Sequence, residues 1–257
     1  MFSTTRALIL KMISRVFLGG RSGCDNADTA LRYLPISDLI LEREIRNPSI
    51  LEVGSGVKGI TPYLKDHITG ADVSFDGEIP ASMTAVEITG TSLPFEDNTF
   101  DYVISVDMLE HVPSSERSKI IEEILRVARA KVFLAVPCGR LSQEHDRELD
   151  DFYQSIKGSR YHFFKDHVEN GLAEKQEIEM ILKGTAQAMG LSVQLTIQKN
   201  VNLLVRSFFM KLWIRSKTGK TYNWISPFIC ILRRFINFGD CYRCIYVVDI
   251  NPKGSPQ

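Results

Sequence analysis

Apolar and polar positions alternate between two rhythms along this chain. "SILEVG" (49–54), apolar but for Ser49 and Glu52, is read as a short buried strand. "GITPYLKDH" (59–67) then reads as a helix and "ITGADVS" (68–74) as a second strand. The connection from Ser74 to Met83 is broken by Gly77 and Pro80 and has little room for a helix. "TAVEIT", "FDYVISVD" and "KVFLAVP" follow as third, fourth and fifth strands. Before the fifth, "ERSKIIEEILRVARA" places Ile120, Ile121, Ile124, Leu125 and Val127 at helical spacing, with Ser114 and Ser115 as its expected cap. Residues 141–171 are polar and aromatic, with neither period. "EKQEIEMILKGTAQAMG" is a helix ending at Gly190, "LSVQLTIQ" a sixth strand, and a final strand starts near Cys241. Residues 201–239 between them read as helical and irregular.

Strands alternating with helices predict an α/β fold, a mostly parallel sheet with helices on both faces. Ligands of such sheets sit outside the carboxyl ends of the strands, at the switch point. Gly54, Gly56 and Gly59 fall there, just past the first strand. Either they form a tight turn, or they let a ligand approach bare backbone at a helix N-terminus. Acids close the neighbouring strands: Glu52 the first, Asp72 the second and Asp107 the fourth. An acid in the position of Asp72 can accept hydrogen bonds from both hydroxyls of a ribose.

"ILEVGSG", "ITGADVS", "TSLPFEDNTFDYVISVDMLEHVP" and "KVFLAVP", in this order and spacing, resemble the class I S-adenosylmethionine-dependent methyltransferases. The resemblance spans about Ile50 to Pro137. It implies a Rossmann-like, seven-stranded sheet with an antiparallel last strand. A methyltransferase domain would then occupy 46–257, after an N-terminal helical extension (1–45) and with insertions at about 141–171 and 201–239. It implies that Gly54, Ser55 and Gly56 hold the methionine part of S-adenosylmethionine, with Gly59 in the same loop. Glu52 would help to anchor that end, Asp72 would bind the ribose, and Asp107 would face the substrate cavity. Three departures stand out. Lys58 occupies the position of a family glycine. Thr89 replaces an aspartate that holds the adenine amino group. The helix between the second and third strands is missing, and Asp76 in that connection is a rival to Asp72.

A base is needed only if the methyl acceptor must lose a proton, as a hydroxyl does. His111, four residues after Asp107, is the catalytic candidate. His145, His162 and His167 are alternatives. His162 and His167 with Asp166 make a poor metal set, and no metal is expected. The expected acceptor is a small or lipid-linked molecule, methylated at oxygen. RNA methylation and a non-catalytic cofactor-binding scaffold are the competing readings.

The 257 residues carry 31 basic and 31 acidic side chains, a net charge of zero that disfavours nucleic acid. The balance is uneven. Residues 1–24 hold four bases and no acid, and 201–239 hold seven bases and no acid. Both segments are also apolar, which suits contact with an anionic membrane or, for the second, a roof over the substrate cavity. Lys11 and Arg15 interrupt any secretory core, so a cytoplasmic protein, peripheral to a membrane, is expected, with a mitochondrial presequence as the alternative. Cys241 and Cys244 form a lone CxxC on a strand, where i and i+3 face opposite ways, so a structural role is expected. The sequence leaves the oligomeric state open.

Overall fold

A computed structural model describes residues 26–42, 45–216 and 220–251, with the side chains at 166, 168, 169, 220, 221, 223 and 224 excepted. The basic segment 1–24, Lys217 and the side chains of Asp166 and Trp224 therefore lie outside the described residues.

Seven strands form one sheet: β1 (Ile50–Val53), β2 (Ile68–Asp72), β3 (Met83–Glu87), β4 (Phe100–Val106), β5 (Ala128–Pro137), β6 (Val193–Asn202) and β7 (Cys241–Ile250). Their order is β3-β2-β1-β4-β5-β7-β6. Strand β7 runs antiparallel to both β5 and β6, while the other neighbours are parallel. The chain winds outward from β1 in one direction to β3, then returns to β4 on the other side. The crevice beyond β1 and β4 is thus the switch point.

Helices cover both faces. On one, α2 (Arg117–Val127) and α5 (Lys175–Ala188) pack against β1, β4, β5 and β7 through Ile121, Ile124, Ile178 and Leu182. On the other, α1 (Ala27–Leu41) inserts Leu34, Ile36 and Ile40 beside Ile50, Ile104 and Phe133. The buried apolar side chains on each face supply the main driving force for closing the sheet, roughly 25 cal/mol per Å² of apolar surface removed from water.

Several local expectations are corrected. Residues 59–67 do not form a helix. They wind as tight turns in which Thr61 N–H donates to the Lys58 carbonyl (3.1 Å) and Tyr63 N–H to that of Ile60 (2.8 Å). Pro62 sits inside this stretch and has no N–H to extend a helical ladder. Neither Ser114 nor Ser115 caps α2: a 3₁₀ turn, Ser114–Glu116, precedes it, and the helix stops at Val127 where β5 begins. The unassigned stretch 141–171 is two helices, α3 (Arg140–Lys157) and α4 (His162–Asn170). Residues 201–239 become α6 (Leu203–Arg215), α7 (Lys220–Leu232) and a 3₁₀ turn at Arg233–Phe235. The β2–β3 connection does lack a helix. Cys244 faces Cys138 rather than Cys241, whose thiol donates to the Phe238 carbonyl.

Candidate active site

The loop after β1 is built on backbone. Gly54, Gly56 and Gly59 all adopt positive φ, +78°, +53° and +47°. A Cβ on Gly54 would lie 2.6 Å from Met108 Cγ, and one on Gly59 only 2.1 Å from Glu52 Oε2. Those two glycines are required by close packing. Gly56 differs: a Cβ there would meet nothing within 4 Å. Its outer face is open, as a loop that receives a ligand requires.

Glu52 is fully buried beneath this loop, and its Oε2 accepts the Ile60 N–H at 2.7 Å. Burial pushes its pKa up to about 8, against the opposing pull of the Ile60 N–H and the neighbouring Tyr33 hydroxyl. Ser55 is buried, with its hydroxyl donating to the Gly56 carbonyl. Asp72 stands half-buried at the end of β2, where Oδ2 accepts the Gly56 N–H and Oδ1 the Val73 N–H, both at 2.7 Å. The loop and the strand-end acid are therefore one hydrogen-bonded unit. Asp76 is exposed. Thr89 is exposed just past β3, and Lys58 is exposed in the turn.

Asp107, at positive φ past β4, receives both Arg243 Nε and Nη2 in a forked ion pair. Arg243 also donates to Asn200 Oδ1 (2.8 Å), and Arg32 of α1 approaches Asp107 at 3.3 Å while pairing with Asp28. Burial alone would raise the pKa of Asp107, but Arg243 and then Arg32 hold it below the usual carboxylate range. The register of β7 explains this: Arg243 lies opposite Pro137 at the end of β5, which brings its side chain to the switch point.

Beyond Asp107 opens a cavity of about 310 Å³. Arg32, Glu110 and His111 line one side, His167 and Arg206 another, and Tyr161, Phe163, Phe164 and Trp213 form aromatic walls. A buried polar network backs it. Asp146 of α3, with no exposure, accepts from Arg206 (2.9 Å), Tyr242 (2.6 Å) and His167 Nδ1 (2.8 Å). Burial opposes its ionisation, yet Arg206, His145 and His167 hold its pKa well below the usual range. Arg206 also donates to His145 Nδ1 and stacks over the Tyr242 ring.

Of the candidate bases, His111 and His167 face the cavity. His145 is buried behind it as an acceptor from Arg206, and burial lowers its pKa. His162 is exposed among Tyr161 and Phe163. The sequence reading missed Arg32, Asp146, Arg206 and Arg243. These join positions from residue 32 to residue 243, and no local pattern links them.

Residues 51–136 match the model of a family described as a methyltransferase domain. That segment, about a third of the chain, is similar to methyltransferase domains. No curated protein matches its sequence. Among solved structures, a protein described as a methyltransferase from an antibiotic biosynthesis pathway of Anabaena variabilis is 14% identical, with 85% of this chain and 98% of that one covered and a TM-score of 0.54. Magnesium protoporphyrin IX methyltransferase of Synechocystis, with S-adenosylhomocysteine bound, is 13% identical over 88% of this chain and 85% of that one, with a TM-score of 0.50. At such identities the likeness is one of fold. The loop has the features that S-adenosylmethionine would need: bare backbone at Gly56, an adjoining carboxylate at Asp72, and a buried acid beneath.

Proposed function

We propose that this chain is a methyltransferase that acts on an oxygen of a small or lipid-associated acceptor seated in the cavity beyond Asp107. When bound, S-adenosylmethionine supplies a methyl group on a positively charged sulfur, open to in-line displacement. Asp72 would accept the ribose hydroxyls, the Thr89 hydroxyl would take the adenine amino group, and the loop of Gly54, Ser55, Gly56 and Gly59, with Glu52 beneath it, would hold the methionine end. Asp107, fixed by Arg243, separates that end from the acceptor. The chain's main contribution is alignment, worth several kcal/mol when two reacting groups are held close.

The cavity is the observation that carries the reading. Its volume of about 310 Å³ suits a small molecule or the head of a larger one. Its aromatic walls suit an apolar or planar body, and its cations, Arg32 and Arg206, suit an oxygen-rich one. A hydroxyl acceptor must surrender a proton, and His111, which lines the cavity, would receive it. The test is incubation of the full chain with methyl-labelled cofactor and fractionated extracts of small molecules, lipids and RNA. A labelled methyl ether or ester is the expected product. Label on nitrogen or in RNA would overturn the choice of acceptor, and an absence of cofactor binding would favour a scaffold.

A peripheral membrane contact is supported by a separate observation. Leu204 and Phe208 are exposed one turn apart on α6, and Asn202 hydrogen-bonds the Phe238 carbonyl, which brings exposed Phe238 beside them. Phe235 nearby is 77% exposed. The seven bases of this segment are not all available, since Arg206 is spent on Asp146 and Arg233 on Asp38. Trp213 and Met210 line the cavity, so the segment also roofs it. Among the described residues no helix is long and apolar enough to cross a membrane. The unbridged thiols of Cys138, Cys241 and Cys244 suit the reducing cytoplasm. Co-sedimentation with phosphatidylserine vesicles tests this contact: binding should weaken in Phe208→Ser and Arg234→Glu and at high salt. Protein that stays in the supernatant at low salt would reject it.

A further inference from the structure

Glu110 is the acid of the cavity that the proposed reaction leaves unused. It is 1% exposed, on the 3₁₀ turn Leu109–His111 that follows β4. No other described residue donates a hydrogen bond to either of its carboxylate oxygens. The other acids around the cavity have cations: Asp28 has Arg32, Asp107 has Arg243 and Arg32, and Asp146 has Arg206. An ionised carboxylate buried without a partner is costly.

Two imidazoles lie against it. His167 Nδ1 is fixed on Asp146 at 2.8 Å, and that carboxylate is itself held by Arg206 and Tyr242. The bond places the His167 proton on Nδ1 and turns the Nε2 lone pair toward Glu110, 3.9 Å from Oε1. A carboxylate behind an imidazole is the arrangement that orients metal-binding histidines. His111 follows Glu110 in sequence, with its ring centroid 5.3 Å from that of His167. One ligating atom from each of the three residues lies within 4.8 Å of the others. In a tetrahedral zinc site such atoms lie roughly 3.4 Å apart, so small rotamer changes would close the set.

The surrounding backbone is braced. Buried Arg117 donates to the Leu109 and Val112 carbonyls, both at 3.2 Å, and to the Gly171 carbonyl just past α4 at 2.8 Å. It thereby ties the turn that carries Glu110 and His111 to the helix that carries His167.

We propose that Glu110, His111 and His167 form a binding site for a divalent transition-metal cation of the zinc class, with an open coordination position facing the cavity. Two imidazoles and one carboxylate are the donor set that suits such an ion. The inference deepens the proposed function: an acceptor oxygen would bind at the open position, and a cation there favours its ionised form. His111 would then hold the ion instead of receiving the proton.

The test is metal binding by the full chain, stripped with chelator and titrated with zinc chloride and cobalt chloride by calorimetry and elemental analysis. About one equivalent is expected, with a cobalt spectrum that lacks a thiolate charge-transfer band. Binding should weaken at least 100-fold in Glu110→Gln and in His167→Ala, and stay within threefold in His162→Ala. If either buried substitution prevents folding, His111→Ala carries the same expectation. No stoichiometric binding, a thiolate band, or full affinity in the folded variants would overturn the site. S-adenosylmethionine binding, titrated on the same metal-stripped chain, separates the two ideas. Its survival with no metal bound rejects only the metal site, and its loss rejects the methyl-transfer reading.

Discussion

The two halves of the active site are made of different material. The cofactor end is backbone: three glycines at positive φ, tied to Asp72 within 21 residues of Glu52. The cavity end is side chains: Asp28, Arg32, Asp107, Asp146, His167, Arg206, Tyr242 and Arg243, drawn from six elements or their edges. A backbone loop tolerates varied neighbours, because its donors are present in every residue but proline. A buried charge network tolerates little, because each member leaves another unpaired when it goes. The chemistry common to the family can therefore rest on the first half, while the choice of acceptor rests on the second.

The sharpest way to break the contrast is Asp146→Asn. The shape is kept, but the buried Arg206 loses its carboxylate and His167 its orienting partner. Breaking a buried ion pair from one side costs about 3–5 kcal/mol. Urea unfolding should show a loss of that order, while a folded fraction keeps cofactor affinity within about threefold. A loss below about 1 kcal/mol would mean that the network is solvated in solution.

The same contrast decides what was legible in the sequence. The sheet was readable because β1, β4 and β5 are mostly apolar and bounded by turn residues, and the glycine loop because its parts are adjacent. Helix α3 was not, because its buried face is Ser142, His145, Asp146, Leu149 and Asp150. The spacing is helical, but the residues are mostly polar, so a search for apolar periodicity passes over them. Gly158, which ends the helix in a left-handed conformation, was the local clue available. In 59–67 the error ran the other way, since an apolar rhythm promised a helix that Pro62 and the tight turns do not allow. Glu110 was visible within the motif, but its lack of a partner emerges only when α3, α4 and β7 close around it.

Glu52 gives a second break, by pH. Its folded pKa of about 8 is raised from the ordinary 4.5. The folded state therefore keeps a proton that the unfolded chain releases, and stability falls as pH rises from about 4.5 to about 8. The slope contributed by this one group is at most ~1.4 kcal/mol per pH unit. Glu52→Gln should flatten that part of the curve, as measured by denaturant midpoints across the window. Parallel curves for the two proteins would show that Glu52 is ionised in the fold.

Asp72 and Asp76 sharpen the cofactor half. Asp72 joins the loop through Gly56, whereas Asp76 is exposed in the helix-free connection. Asp72→Ala should weaken S-adenosylmethionine binding by about 1.5–3 kcal/mol, the worth of hydrogen bonds to a charged group. Asp76→Ala should change it by less than about 0.5 kcal/mol. Equal affinities in calorimetry would place the ribose elsewhere.

The smallest effects come from the glycines, and they separate packing from ligand contact. Gly56 and Gly59 both adopt positive φ, so alanine at either costs roughly 1–2 kcal/mol of backbone strain. At Gly59 the new methyl also collides with the Glu52 carboxylate, which must shift from its bond to Ile60. Gly59→Ala should therefore lower stability more than Gly56→Ala does. At Gly56 the methyl enters open space on the loop's outer face, where the cofactor is proposed to lie. Gly56→Ala should then lose the larger share of S-adenosylmethionine affinity while keeping the larger share of stability. Thermal midpoints and calorimetric affinities of the two variants give opposite rankings if the loop works this way. The same ranking in both measurements would mean that Gly56 serves only the turn.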